Sequence, residues 1–207
     1  MQIILKYFSY FTELQLKQFA ALEDLYNYWN SKINIISRKD IGGLYEKHVL
    51  HSLSIAAVID FVKDTQIIDI GTGGGFPGIP LAIYFPDVQF HLVDSIGKKL
   101  KVVDAVAGAI GLQNLTTQHI RAEEIKNRRF DFAVSRAVAP LKDLWEWSKA
   151  LIKKGGRQEL SNGLICLKGG DLTKEIHESG LRPHIIAIEE IFDEKSFKEK
   201  YLLHVKA

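Results

Sequence analysis

"QIIDIGTGGGFPGIP", residues 66–80, decides how the rest of the chain is read. A short apolar run, Gln66–Ile70, ends in Asp69-Ile70 and opens into Gly71, Gly73, Gly74 and Gly75, with Pro77 and Pro80 close behind. Glycines this dense weaken any regular element, so they are expected where backbone must turn tightly or meet a ligand closely. Strand, glycine turn and helix together form the geometry that places a ligand against main chain. The dinucleotide spacing G-x-G-x-x-G fails from Gly71, because its sixth position is Phe76. From Gly73 it would carry Pro77 inside the loop. No Lys follows the loop as a phosphate-binding P-loop requires. The frame that fits is acid-x-G-x-G-x-G, Asp69 to Gly75, the pattern of S-adenosylmethionine sites. An acid at the strand end suits a cationic methionine moiety and suits a pyrophosphate poorly. Pro77 is expected in the first turn of the following helix, where its missing N–H costs nothing.

Downstream, the pattern alternates. Strands are expected at 88–94, 114–120, 130–136 and 163–169, with helices at 79–85, 98–110, 141–151 and 171–178. This is the signature of a parallel sheet covered on both faces. The tail differs: strands at 184–192 and 200–207 leave no room for a helical crossover and should pair antiparallel at the sheet edge. The expected architecture is α/β, a mostly parallel seven-stranded sheet with an antiparallel C-terminal edge. Residues 1–62 read as a helical extension and 63–207 as the core. In the extension, Phe11, Leu14, Phe19, Leu22, Leu25, Tyr26 and Trp29 recur at helical spacing with Thr12 as N-cap. A second helix is expected over 41–61, interrupted by Gly42-Gly43. Tyr26, Tyr28 and Trp29 read as helix-packing core rather than a platform for bases.

Two further acids join the loop. Asp94 ends the second strand 23 residues beyond Gly71, where an acid can accept hydrogen bonds from ribose hydroxyls. It could equally cap the next helix; beside Asp69 and the loop, the ribose role is favoured. Ala122 and Glu123 follow the third strand, where an adenine ring is expected.

Composition narrows the class. The 207 residues are 46% hydrophobic with a formal net charge of +2, so bulk charge alone binds no nucleic acid. The single Cys166 excludes a disulfide framework and fits a reducing compartment. No run is apolar enough for a membrane span, and the cytoplasm is the expected location. His48 and His51 are one helical turn apart but gather no third ligand, so no metal site is expected.

The fourth strand ends in "SRAVAPL" (135–141). Together with "IIDIGTGGGFPGIPLA" (67–82), "LVDSIGKK" (92–99), "RAEEI" (121–125), "LKGG" (167–170), "YWNSKINIISRKD" (28–40) and "KHVLHSL" (47–53), it closely resembles the glucose-inhibited division protein B family across nearly the whole chain. These are bacterial guanine-N7 methyltransferases of small-subunit ribosomal RNA. The resemblance implies a Rossmann-like class I methyltransferase fold with an N-terminal helical extension, S-adenosyl-L-methionine as cofactor, and 16S ribosomal RNA as substrate. It also implies cofactor contacts from Gly71, Phe76, Ala122, Glu123 and Arg136. His51 stands where many relatives carry Asp, so no carboxylate role transfers there.

Guanine N7 has a lone pair and no proton, so its methylation needs no general base. Alignment of the reacting atoms, which can contribute about 7–11 kcal/mol, is then the main source of rate. Arg136 can donate to the cofactor or to guanine O6. Lys168, at the end of the fifth strand before Gly169-Gly170, is the other candidate at the reacting centre. N7 is closed off inside an RNA helix, so the target base should be splayed out. RNA contacts are expected among Lys98, Lys99 and Lys101, Arg128-Arg129, Lys153-Lys154 with Arg157, and Lys168. A folded ribonucleoprotein, the small ribosomal subunit or an assembling particle, is the expected partner, met by a monomer. The alternatives are a methyltransferase for another RNA position, a small molecule or a protein, a dinucleotide oxidoreductase, and a non-catalytic nucleotide- or RNA-binding module.

Overall fold

The structure, a computed structural model, describes residues 1–37, 40–136 and 138–207. Two helices open the chain, α1 (Gln2–Tyr7) and α2 (Glu13–Lys32). A 3-10 turn (Ile41–Gly43) and a π-helical stretch (Leu44–Leu50) then run into α3 (His51–Val58). The alternating part follows: β1 (Gln66–Ile70), α4 (Gly78–Tyr84), β2 (Gln89–Asp94), α5 (Gly97–Ala109), β3 (Leu115–His119), β4 (Phe132–Arg136), α6 (Leu141–Ser148), β5 (Gly163–Gly169) and α7 (Thr173–Ser179). The tail is β6 (His184–Ala187) and β7 (Lys200–Lys206).

These strands form one seven-stranded sheet in the order β3-β2-β1-β4-β5-β7-β6. The first five run parallel, β7 pairs antiparallel with β5, and β6 antiparallel with β7. The mixed, Rossmann-like sheet read from the sequence is therefore present. Alternation along the strands feeds two cores. Ile67, Phe132, Val134, Ile165 and Leu167 face α1–α5, whereas Ile68, Ile70, Ala133, Leu164 and Cys166 face α6 and α7. The core under α1–α3 is continuous with that under α4 and α5 across residues 62 and 63. Chain order reverses between β1 and β4, and a crevice opens there beyond the carboxyl ends of the strands.

Several local expectations are corrected. Thr12 does cap α2, in a reciprocal box with Gln15, but Leu14 is exposed and Gln15 and Gln18 are buried instead. The reason is polar: Gln15 Nε2 donates to the carbonyls of Ile83 and Tyr84 at 2.9 and 3.1 Å, and Gln18 Nε2 to that of Ile110 at 3.0 Å. Each satisfies carbonyls left orphaned at the end of α4 or α5. Tyr28 is exposed, outside the core, with Lys32 above its ring. Pro77 stands one residue before α4. β6 stops at Ala187, where a 3-10 turn (Ile188–Glu190) swings Ile188 and Phe192 inward. Phe192 packs 4.7 Å from the ring of Tyr7, whose hydroxyl donates to Glu194 at 2.6 Å. This contact docks α1, which the sequence did not separate from α2, onto the β6–β7 connection.

Candidate active site

The glycine loop is braced from both sides. Gly71 N–H and Thr72 N–H donate to Val93 of β2 at 2.9 and 3.0 Å. Thr72 Oγ1 and Gly78 N–H donate to Asp69 Oδ2 at 2.6 and 2.9 Å. Gly73 N–H donates to Asp94 Oδ2 at 2.9 Å, and the N–H groups of Gly75 and Phe76 return to the Thr72 carbonyl. Most of the loop's N–H groups are thus engaged within the protein, so it offers bare main chain rather than the free N–H cradle that a strand–glycine–helix turn suggests. Gly71 and Gly73 have φ of +68° and +58°, where a side chain is strained. A Cβ on Gly71 would stand 2.9 Å from Val138, whereas one on Gly73 would project into open space.

Beside this loop lies a cavity of about 430 Å³ at the carboxyl ends of β1, β2 and β3. Gly71, Asp94, Ala122 and Glu123 all line it, so four of the sequence-derived residues converge. Ile96, Lys99, Val138 and Trp147 complete much of its wall. Trp147 was missed by the sequence reading; its only signal was an aromatic on the helix after the fourth strand. Asp94 is 7% exposed, and its Oδ1 accepts from Ile96 N–H at 2.8 Å while Oδ2 holds Gly73. It therefore braces the turn ahead of α5, whose N-cap is Ile96 and which takes no side-chain cap, and faces the cavity at once; a carboxylate has lone pairs for further donors.

Other predicted residues lie outside this wall. Asp69 is fully buried beneath the loop, and burial pushes its pKa up to about 7 against the pull of Thr72, Gly78 and Arg136. Phe76 is 3% exposed. Its ring packs 4.9 Å from Tyr26 and 5.3 Å from His48, and the Arg136 guanidinium lies 4.9 Å from its centroid. Tyr26 in turn donates to Gly74 O at 2.6 Å, tying α2 to the loop. Arg136, at the end of β4, donates from Nη2 to His48 Nδ1 at 3.0 Å. Burial lowers its pKa to about 10, opposed by Asp69 and Tyr26, so it stays charged at neutral pH.

Lys168 is buried, and its ammonium bonds the Ala139 carbonyl and pairs with Glu175 at 2.7 Å. The same Glu175 oxygen accepts from Leu141 N–H at 2.6 Å. Rather than lining the cavity, Lys168 clamps the segment that carries Val138. Of the basic clusters, only Lys99 reaches the cavity wall. Arg128 stacks on Phe130, and Lys153 pairs with Asp131 at 3.2 Å, both at the amino end of β4 and away from the crevice. Cys166 is buried, and burial pushes its thiol up to about 12. Among the described residues, no three His, Cys, Asp or Glu side chains gather in a metal-holding group. Ala137, within the Ser135-Arg136-Ala137 run, and Arg38 and Lys39, within the 28–40 run, lie outside the described residues.

The sheet and its surrounding helices superpose on a SAM dependent methyltransferase from Aquifex aeolicus with a TM-score of 0.58 at 12% identity, covering 79% of this chain and 92% of that one. They also superpose on fibrillarin from Aeropyrum pernix with a TM-score of 0.52 at 11% identity, covering 75% and 73%. At these identities the likeness concerns the fold. Sequence similarity reaches further. The chain is 59% identical over 205 residues to ribosomal RNA small subunit methyltransferase G of Phocaeicola vulgatus, covering 99% of this chain and 98% of the relative. It is 50% identical to the protein of that name from Cytophaga hutchinsonii over the full length of both. Residues 15–198 match the family GidB, rRNA small subunit methyltransferase G. With its glycine loop, carboxyl-end cavity and mixed sheet, the chain belongs to the GidB family of small-subunit ribosomal RNA methyltransferases.

Proposed function

We propose that the protein methylates N7 of a guanine in 16S ribosomal RNA with S-adenosylmethionine as donor, working as a cytoplasmic monomer on the small ribosomal subunit or an assembling particle. In this reading residues 63–207 are the catalytic unit, and residues 1–62 are an extension that braces the glycine loop through Tyr26 and His48.

The observation that carries the reading is the convergence of Gly71, Asp94, Ala122 and Glu123 on one cavity, in a chain of this family. Their chemistry fits a nucleoside donor. Gly71 leaves main chain bare at the wall, and Asp94 keeps lone pairs for ribose hydroxyls after engaging Gly73 and Ile96. Ala122 and Glu123 bring main chain and a carboxylate to the adenine end. When bound, S-adenosylmethionine supplies an electrophilic methyl on a sulfonium. The protein needs no general base, because N7 presents its lone pair without a proton. Arg136 supplies a charged fork at the switch point, held by His48 and Phe76, for the cofactor or for guanine O6. Lys168 acts one step removed, by fixing the 138–141 segment.

Ligand-dependent melting tests the cofactor half. At a hundredfold excess over its Kd, S-adenosylmethionine should stabilise the fold by about 2.7 kcal/mol, and NAD should leave Tm unchanged. Stabilisation by NAD alone would overturn the reading.

A further inference from the structure

A second cavity, about 390 Å³, opens between the Leu44–Leu50 stretch, α3 and a 3-10 turn (Lys195–Phe197) ahead of β7. His48, His51 and Ser196 line it. Their Nε2, Nε2 and Oγ atoms are buried, and none has a hydrogen-bond partner among the described residues. An unpartnered buried polar atom costs about 1–3 kcal/mol. Three converging on one cavity point to a ligand that satisfies them.

The polarity of the lining says which ligand. An arginine can only donate, so the Arg136 bond makes His48 Nδ1 an acceptor and leaves the proton of the neutral ring on the buried Nε2. Burial, and then the charge of Arg136, hold His48 and His51 down to about 4 and 3, so both rings are neutral. Lys200 adds a cationic donor. Asp40, also in the lining, is a fixed acceptor; it already takes Lys47 at 2.7 Å and Ser37 at 2.6 Å and retains lone pairs. A bare phosphate only accepts: it would suit Lys47 and Lys200, which both line the cavity, but would offer Asp40 no donor. Guanine carries both complements: O6 accepts, while N1–H and the 2-amino group donate. The rings of Phe197 and His51, with centroids 5.9 Å apart and planes tilted by 54°, form part of its wall. Arg136 joins the two sites, since it bonds His48 in this cavity and stands two residues before Val138 in the wall of the other.

We propose that this second cavity receives the splayed-out acceptor guanine through its Watson–Crick edge and O6, with Asp40 taking N–H donors and His48, His51 and Ser196 completing the recognition. N7 is then left unbonded, as its attack on the methyl group requires. The proposal rests on the methyltransferase reading and adds to it the residues that choose the base.

The test uses the full chain saturated with S-adenosylhomocysteine, whose binding is measured separately by calorimetry. 5′-GMP, 5′-AMP and ribose 5-phosphate are titrated at millimolar concentration while the ring C–H signals of His48 and His51 are followed by NMR. GMP should shift both signals, AMP should bind at least about tenfold more weakly, the loss of one base-specific contact, and ribose 5-phosphate should shift neither. Asp40→Asn and His51→Phe should each weaken GMP binding without changing S-adenosylhomocysteine binding. An equal response to ribose 5-phosphate or to AMP, or no response to GMP, would overturn the assignment. Failure of S-adenosylhomocysteine to bind would count instead against the methyltransferase reading, and calorimetry reports it independently.

Discussion

Val138 occupies the space that any side chain at Gly71 would need: a Cβ there would stand 2.9 Å from Val138 Cγ1. The first strand's turn and the segment after the fourth strand are therefore fitted to each other across the switch point. Gly71→Ala meets this contact and a φ of +68° together. The left-handed conformation alone should cost about 1–2 kcal/mol. We expect a lowered Tm and lost S-adenosylmethionine binding. Adding Val138→Ala removes both Cγ contacts but leaves Cβ at 3.2 Å, so it should recover much of the steric part and none of the backbone part. Equal Tm for the single and double variants would show that Val138 does not press on the loop.

Asp94 has two tasks that substitution can separate. Its oxygens hold Gly73 N–H and Ile96 N–H, and it faces the cavity. Asp94→Ala leaves the N–H groups of Gly73 and Ile96 without their acceptor and should lose about 1–3 kcal/mol of stability. It should also lose about tenfold or more in cofactor affinity, from hydrogen bonds to a charged acceptor. Asp94→Asn keeps one acceptor oxygen and should fall between. Calorimetric titration with S-adenosylhomocysteine beside urea unfolding separates the two effects; a loss of stability with unchanged affinity would confine Asp94 to bracing the loop.

Lys168 should prove to be a positioning residue. Its ammonium bonds Ala139 O and Glu175 in a buried setting. Lys168→Met takes the cation from Glu175, which is 26% exposed and keeps its bond from Leu141 N–H, and should destabilise the fold by about 1–3 kcal/mol. Lys168→Met with Glu175→Gln removes both charges and should regain much of that, together with cofactor binding. A double variant as stable as wild type but without methyl transfer would place Lys168 at the reacting centre instead.

Acid stability carries two opposed signatures. Asp69 has a folded pKa of about 7, raised from 3.8 by burial, so the stability it contributes is full below its unfolded value and fades as pH rises through 7. His51 has a folded value of about 3, lowered from 6.5 by burial, so its contribution is full above 6.5 and is lost on acidification. Between about pH 4.5 and 6.5, Asp69→Asn should steepen the loss of stability with falling pH by about 1.4 kcal/mol per unit. His51→Phe should flatten it by about the same amount. Urea unfolding across this range reads both slopes, and unchanged slopes would show that neither group titrates with folding.

Much of this was legible before folding was considered. The loop spacing, the second acid at Asp94 and the alternation of strands and helices are local properties, and Gly71, Asp94, Ala122 and Glu123 do meet in one cavity. Other features depended on partners remote in the chain. Phe76 is turned into the protein by Tyr26 and His48, which reach it from α2 and from the stretch before α3. Lys168 is claimed by Glu175 only because α7 folds back over the end of β5. Leu14 yields the buried face of α2 to Gln15 because α4 needs its last carbonyls satisfied. The pair His48 and His51 showed helical spacing, but nothing in it announced the cavity they share with Ser196.

Transfer of labelled methyl from S-adenosylmethionine tests the account most directly. Purified small ribosomal subunits and deproteinised 16S RNA are each offered to the enzyme, and the RNA is then cleaved chemically at N7-methylguanine. The account predicts label at a single guanine, released by that cleavage, with the particle preferred over free RNA. Label on protein, on adenine or cytosine, or at a guanine position that resists the cleavage would contradict it.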